Sequence, residues 1–565
     1  MEILRRFFKI CGWFWLSKGS LSAWGMLALT LGFSLAVIKI SVLMNAWDKK
    51  FYDAISAYRG ELIVPLTAEF LLYTALIVSF IVCGNWFKKL LIVSWRENLS
   101  SRMEAMWLKN ANFYRLNFAG NLKDTPIDNP DQRIAEDSLL LVEKSIELIK
   151  SLVYNVAKLI AFVAILWQVS KVVSFEILGV RVETTGFLVY VALIYTLLCS
   201  LITHLLGRRL GELNFNRQQV EANYRSNLIS VREKAEEVAF LRGEKLEKSR
   251  FRASFEEILR NWRALMNTEF RLECFSASYL KITNLIPIFA CLPLYFARTM
   301  SFGDMMQARG AFYSVQDGFA WFMDYYKRIM EWAACVRRVW AFSEAMKELD
   351  AANEVKASAR NSAKNELSGA NLSIFTPKGE ALATGVNFKI SSGERVRLVG
   401  RSGAGKSTFL RYLAGIYDFG SGEVNLPARA IFTPQKPYLA KMSLRELIAY
   451  PSDLSENLDG DGEEFRRILR CVGLDKFASR LDEVADWSKI LSGGEAQRLG
   501  FARIYFQKPA LALLDEATSA LDISSARELM TNLLADFPNL AVLAAIHQEE
   551  LKDLFSADMN FRGKI

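Results

Sequence analysis

Histidine is almost missing from this chain: His204 and His547 are the only two in 565 residues. The seven cysteines, Cys11, Cys83, Cys199, Cys274, Cys291, Cys335 and Cys471, are scattered and never spaced CxxC. A structural zinc site therefore lacks its ligands, and an odd, dispersed set of thiols does not make a disulfide scaffold. Proline is scarce too, 12 residues against 38 Phe and 13 Trp, which excludes a disordered or low-complexity chain. What the chain does contain pulls in two directions, 52% hydrophobic residues beside 23% charged ones. Such a mixture implies two populations in different parts of the chain, and the length suits roughly three or four domains. The net charge of +9 is compatible with nucleic acid or anionic lipid, and composition alone does not choose between them.

The apolar runs all lie before residue 330, at 21–44, 62–87, 149–169, 186–206, 275–296 and 305–329. Each approaches the ~20 residues with which a helix spans a bilayer, so the region reads as six spans with both ends on one side. Arg5, Arg6, Lys9 and Lys18 precede the first run without an A-x-A-like cleavage site, so the N-terminus is expected to be cytoplasmic and not a signal peptide. The loops on the far side hold few cations (Lys49, Lys50 and Arg59, then Lys171 and Arg181, then Arg298). Segments 88–148 and 207–272 are rich in Lys and Arg, and are read as membrane helices continuing into the cytoplasm. That placement speaks against nucleic acid as the partner and for the membrane surface. Residues 1–20 mix Phe7, Phe8, Trp13, Phe14 and Trp15 with basic residues, as an amphipathic helix on the inner leaflet would. Domain boundaries follow: an elbow helix at 1–20, a transmembrane domain at 21–345, a linker without aromatics at 346–368 and a soluble α/β region at 369–565.

Gly400-Arg401-Ser402-Gly403-Ala404-Gly405-Lys406-Ser407 fits G-x-x-x-x-G-K-[ST], between an apolar strand and a helix opening at Thr408. Its glycines let backbone N–H groups converge on phosphate oxygens at a helix N-terminus. Lys406 is expected to reach the β- and γ-phosphates of ATP, and Ser407 to ligate Mg²⁺. Leu511-Ala512-Leu513-Leu514-Asp515-Glu516 is an apolar strand that ends in two acids, at the edge where open α/β sheets bind ligands. Asp515 suits the Mg²⁺ shell, and Glu516 suits a general base for the attacking water.

Between these motifs lies Leu491-Ser492-Gly493-Gly494-Glu495-Ala496-Gln497. LSGGE-x-Q, the phosphate loop upstream and LLDEATSALD downstream together resemble the ATP-binding cassette of ABC transporters across 369–565. The resemblance implies a six-span, exporter-type (type I/IV) α-helical domain fused to a C-terminal P-loop NTPase. It implies further that Gln435 is the Q-loop contact to Mg²⁺ and water, Asp522 the D-loop acid, and His547 the switch histidine near the γ-phosphate. It makes Phe375 an adenine-stacking aromatic, although a core Phe would fit the same position. In this family Ser492, Gly494 and Glu495 belong to a turn that caps ATP held by a second cassette. A chain with one cassette is then half a transporter, most simply completed by a second copy of itself.

Trp95-Arg96, Trp107, Tyr114-Arg115, the box Ile127-Asp128-Asn129-Pro130-Asp131-Gln132-Arg133-Ile134 and Glu236-Glu237 through Glu244 resemble the YddA-like branch. That branch is related to SbmA/BacA-type peptide transporters and to peroxisomal fatty-acyl half-transporters. Met442, where relatives usually show Gly, and Gln548, where Arg is frequent after the switch histidine, depart from the pattern. No peroxisomal targeting extension is evident, so the expected location is a bacterial inner membrane. In the spans, Lys39 and Glu69 fall at similar depth, where they are placed to pair; the favoured reading has Lys39 snorkelling outward and Glu69 facing a polar vestibule. Arg309, Tyr313, Gln316, Asp317 and Asp324 share one face of the sixth span, as if lining a water-accessible path for a hydrophilic cargo. Peptides, corrinoids and acyl-CoA-like molecules fit these expectations as transported substrates. Competing readings are proton-driven peptide uptake with a regulatory cassette, and an ATP-gated receptor or channel.

Overall fold

The protein was analysed as a computed structural model, which describes residues 2–17, 19–118, 129–170, 173–177, 180–357, 360–361, 366–401, 403–452 and 462–561. Two compact units emerge, one of residues 1–102 and 129–340, the other of 103–128 and 341–565.

The first unit is helical. Helix α1 (Glu2–Trp15) buries Phe7, Ile10, Cys11 and Phe14, the apolar stripe expected of an amphipathic element. Phe14 stacks on Trp95 with ring centroids 5.9 Å apart, and Phe7 meets Trp332 edge-on at 5.0 Å, so the stripe packs onto the bundle. Helices α2 (Ser20–Ser56) and α3 (Ile63–Leu108) follow, the latter leading to a single turn, α4 (Asn112–Arg115), that belongs to the second unit. Next come α5 (Pro130–Gln132), α6 (Ser138–Val169), α7 (Phe187–Gly207), α8 (Leu210–Glu233), α9 (Ala235–Phe240), α10 (Glu244–Phe296) and α11 (Phe302–Ala357). Among the described residues, five helical stretches are long and apolar enough to cross a membrane: Ser20–Ser56, Gly60–Phe118, Pro130–Val169, Phe187–Glu233 and Glu244–Phe296. The sixth expected span lies in α11, which is as long but is interrupted by charges that have partners on other helices. Asp304 pairs with Lys49 at 2.7 Å and Asp317 with Lys158 at 2.6 Å, while Gln316 is buried. Asp317 thus faces a lysine of α6. Glu69 accepts from Tyr73 Oη at 2.7 Å and pairs with Lys50 at 3.5 Å, and it is not paired with Lys39. Between α6 and α7 the expected plain loop is an antiparallel hairpin of β1 (Val173–Ile177) and β2 (Val180–Thr184). Its period-two alternation is short, which is why it did not stand out beside the apolar runs.

In the second unit, β3 (Arg360–Asn361), β4 (Leu367–Phe375), β5 (Ala381–Ile390) and β7 (Gly420–Asn425) form one sheet in the order β3-β7-β4-β5. Strands β6 (Arg395–Val399), β8 (Ala430–Thr433), β9 (Leu511–Asp515), β10 (Ala541–Ala545) and β11 (Ala557–Asn560) form a second, parallel sheet in the order β11-β6-β10-β9-β8. Every residue of β9 and β10 is buried, the near-continuous apolar run that a parallel sheet covered on both faces requires. Helices α12 (Lys406–Leu413), α13 (Leu444–Ala449), α14 (Gly462–Cys471), α15 (Gly493–Gln507) and α16 (Ile523–Asp536) complete the unit. Phe465, Trp487 and Phe501 centre one core, and Leu398, Phe409 and Leu513 another. The stretch expected as a linker begins as helix, because residues 346–357 contain neither Gly nor Pro and continue α11. Residues 358–359 and 362–365 of that stretch, Ile127 and Asp128 of the membrane-half box, and Ser402 lie outside the described residues.

Candidate functional site

The C-terminal ends of β6, β9 and β10 meet at one edge of the parallel sheet, and the titratable motifs collect there. After β6 the chain turns through Gly400, where a Cβ would lie 2.7 Å from the Phe561 carbonyl oxygen, so only glycine passes without displacing backbone. Gly403 and Gly405 take φ of 77° and 99°, and Gly405 opens α12 as its N-cap. Ala404 N–H donates back to Arg401 O at 3.2 Å, tightening the loop, and Thr408 follows in the first turn of α12. Lys406 folds over this loop: Nζ donates to Gly400 O at 2.7 Å and Arg401 O at 3.4 Å. Burial pulls its pKa down, against the opposing charges of Glu516 and Asp515.

Ser407 Oγ donates to Asp515 Oδ1 at 2.7 Å. Asp515 is 3% exposed. Burial pushes its carboxyl up, outweighing the Ser407 hydrogen bond and the charges of Arg411 and Lys406. The next residue, Glu516, sits at φ 50°, a left-handed conformation that a non-glycine residue adopts at a cost of roughly 1–3 kcal/mol. Its N–H is spent on Ala545 O at 2.9 Å, at the end of β10. The side chain is held at both oxygens: Gln435 Nε2 donates to Oε2 at 2.8 Å, and His547 Nε2 lies 3.1 Å from Oε1. With Nε2 protonated, the imidazole is a donor to that carboxylate.

Lys406, Ser407, Gln435, Asp515, Glu516 and His547 are therefore brought together. Ser492, Gly494 and Glu495 are placed at the start of α15, where Ser492 and Glu495 form a capping box. The Glu495 carboxyl is held below its ordinary value by Lys476 and by the Ser492 backbone N–H. Ser492 and Glu495 partner each other, and Glu495 pairs with Lys476; among the described residues no hydrogen bond or ion pair joins them to their own phosphate loop. Phe375 ends β4 with its backbone tied to Phe419 and Tyr417; no ring contact to the phosphate loop is recorded among the described residues.

Two glutamines, both visible in the sequence motifs, have roles that the sequence did not reveal. Gln497 of α15 donates to Glu516 O at 3.3 Å and Ser519 Oγ at 3.0 Å, and accepts from Ala520 N–H at 2.8 Å, bracing the chain behind Glu516. Gln548 accepts from Thr518 Oγ1 at 2.9 Å and donates to the carbonyls of Thr518 and Leu521 at 3.3 and 3.4 Å. The signal for Gln548 was visible as a departure from the family pattern, without its role.

A glycine-rich phosphate loop beside two acids on a parallel sheet defines a P-loop ATPase. The family profile described as "ABC transporter transmembrane region 2" matches residues 14–296, and that described as "ABC transporter" matches residues 383–519. The inner membrane ABC transporter ATP-binding protein YddA of Escherichia coli is 31% identical, covering 95% of this chain and 93% of that one. The human lysosomal cobalamin transporter ABCD4 is 25% identical over 92% and 89% of the two chains. Among solved structures, a bacterial Atm1-family ABC exporter with ATP bound aligns with TM-score 0.69 at 19% identity, covering 93% of this chain and 92% of that one, a likeness of fold. The chain belongs to the ABC transporter family, as a YddA-like half-transporter with relatives in the D subfamily. It is a membrane protein that binds ATP and couples its hydrolysis to transport.

Proposed function

We propose that two copies of this chain form a transporter in a bacterial inner membrane, with the N-terminus and the cassette in the cytoplasm. Lys406 and the N–H groups of the Gly400–Thr408 loop, Ser402 included, would hold the β- and γ-phosphates of ATP. Ser407 and Asp515 offer hard oxygens 2.7 Å apart, and with Gln435 they fit Mg²⁺, which is commonly held by one or two protein oxygens plus phosphates and water. Bound there, Mg²⁺ would neutralise phosphate charge. Glu516 orients the attacking water and accepts its proton as the water oxygen bonds to the γ-phosphorus and ADP leaves. Gln435 and His547 hold the carboxylate in position, and His547 also faces the γ-phosphate. Ser492, Gly494 and Glu495 of one protomer cap the nucleotide held by the other, and Phe375 stacks on the adenine.

The observation that carries this reading is the Glu516 carboxylate fixed between Gln435 and His547, one residue from Asp515. For cargo we favour a polar or charged molecule, supported by the ionisable residues inside the spans. The human relative, a lysosomal cobalamin transporter, supports corrinoids among the candidates beside peptides and acyl-CoA-like molecules. The test is ATP hydrolysis by reconstituted protein, wild type beside Glu516→Gln, across those three cargo classes. One class should stimulate wild type, and the variant should be slower by roughly 10²-fold or more. Wild type no faster than the variant would refute an ATP-driven motor, and loss of transport with an ionophore would shift the weight to proton coupling.

A further inference from the structure

Asp515 and Ala545 are the last registered pair of β9 and β10, and beyond them the two chains leave the sheet. Glu516 and His547 both lie in that stretch, where their side chains meet at 3.1 Å. Behind this pair, Glu516 N–H still reaches Ala545 O at 2.9 Å. Ahead of it stand Thr518 and Gln548, each three residues past the last registered pair, so their contact carries the register of the strands beyond the end of the sheet. The Gln548 amide spans the gap. Its Nε2 donates to the carbonyl oxygens of Thr518 and Leu521 at 3.3 and 3.4 Å, and its Oε1 accepts from Thr518 Oγ1 at 2.9 Å. Carbonyls only accept, so they fix which end of the amide faces them and leave the amide oxygen for the hydroxyl. Thr518 is 1% exposed, so its polar groups have no ready substitute in water for this partner. Gln497 braces the same loop from α15, while Gln548 ties it to the segment that carries the histidine.

Packing alone does not set the distance between Glu516 and His547, because their side chains are 26% and 49% exposed. A contact of this kind holds only when the two backbones are fixed against each other, and the amide clasp supplies that restraint. An arginine in its place would serve both carbonyls, but it has no atom to accept from the Thr518 hydroxyl, and it would set a cation beside the imidazole. We propose that Gln548, through Thr518, is a positioning residue for ATP hydrolysis, holding His547 at the distance from which its imidazole fixes the Glu516 carboxylate. The inference rests on the reading of Glu516 and His547 as hydrolytic machinery and adds to it the residue that sets their geometry.

The test uses the full chain reconstituted in lipid. Gln548→Met removes the amide at similar volume and should lower kcat for ATP about tenfold with KM unchanged, inside the ~10²-fold that a misplacement of an ångström costs. Thr518→Val should do the same, and the two together should cost no more than either alone, since both remove one clasp. Where Gln548→Met folds poorly, Thr518→Val carries the comparison. The second readout is the imidazole itself. Because His204 and His547 are the only histidines, labelling histidine with ¹⁵N gives two sets of ring signals in solid-state NMR, assigned with His204→Gln. In nucleotide-free protein Gln548→Met should shift or broaden the His547 signals and leave in place those of His204, which lies on α7. Unchanged His547 signals, unchanged kcat, or additive effects of the two substitutions overturn the proposal. His547→Ala hydrolysing ATP as fast as wild type refutes the hydrolytic reading of the site, whereas a slow His547→Ala beside an unaffected Gln548→Met refutes this inference alone.

Discussion

Arg115 offers the sharpest test of how the 103–118 segment is built into the cassette unit. It is 7% exposed and pairs through Nε with Asp418 Oδ2 at 2.9 Å, while Nη2 donates to Gly415 O at 3.2 Å. Phe118 closes on Tyr417 beside it with ring centroids 5.7 Å apart. Residues 415–418 follow α12, whose first turn carries Lys406 and Ser407, so the pair anchors the far end of the phosphate-loop helix. Replacing Arg115 by Met keeps the packing of its stem but removes the guanidinium that Asp418 pairs with. Breaking a fully buried pair costs about 3–5 kcal/mol; Asp418 is 22% exposed, which water partly relieves, so about 2–3 kcal/mol is expected. For a unit of this size that is a fall of roughly 5–10 °C in Tm, read by scanning fluorimetry of the detergent-solubilised chain. Asp418→Asn in the same background should recover part of the loss, with an interaction energy of about 1–3 kcal/mol in the double-mutant cycle. Additive effects of the two substitutions would refute the reasoning, because they would show that the charges do not act on each other.

Asp515→Asn separates stability from chemistry. Burial raises the folded carboxyl above its unfolded value of 3.8, so its ionisation opposes folding at neutral pH, and Asn should raise the nucleotide-free Tm while hydrolysis falls by roughly 10²-fold or more. The Tm gain should shrink as pH falls toward 4 and wild type becomes protonated; a lowered Tm at pH 7.5 contradicts the argument. Glu495→Gln keeps the capping-box hydrogen bonds and removes only the attraction to Lys476, worth about 0.5 kcal/mol for so exposed a lysine. Since the folded pKa is depressed below 4.5, that contribution is present above the unfolded value and lost as pH falls through the folded one, so wild type and variant should converge in thermal unfolding as acid titrates the folded carboxyl. Gly400→Ala drives a methyl against the Phe561 carbonyl, and should cost about 1–3 kcal/mol and raise KM for ATP; unchanged kinetics would show that the loop has room.

What was legible in the sequence is what depends on local chemistry. Gly400, Gly403 and Gly405 are needed where the backbone must turn tightly, and a five-residue apolar strand ending in Asp515 has few other uses for its acid, so the nucleotide edge could be read before the fold was known. Partners across the fold could not be. Gln497 and Gln548 tie segments more than twenty residues apart in sequence, and although Gln497 stands in the LSGGE-x-Q motif, neither glutamine carries a sign of which groups it will meet. The face of α11 was legible as a stripe of Arg309, Tyr313, Gln316, Asp317 and Asp324, the last with its side chain outside the described residues, but a helical wheel shows a face and not what packs on it. Lys158 of α6 answers Asp317, so that charge builds the bundle before it can serve a cargo. Lys150, about two turns from Lys158 on the same helix, donates to Asn85 and shares with Lys88 the charge of Glu147. The charges of these spans are therefore read from their partners across the bundle and not from the helical face alone: a charge answered by a neighbouring helix holds helices together.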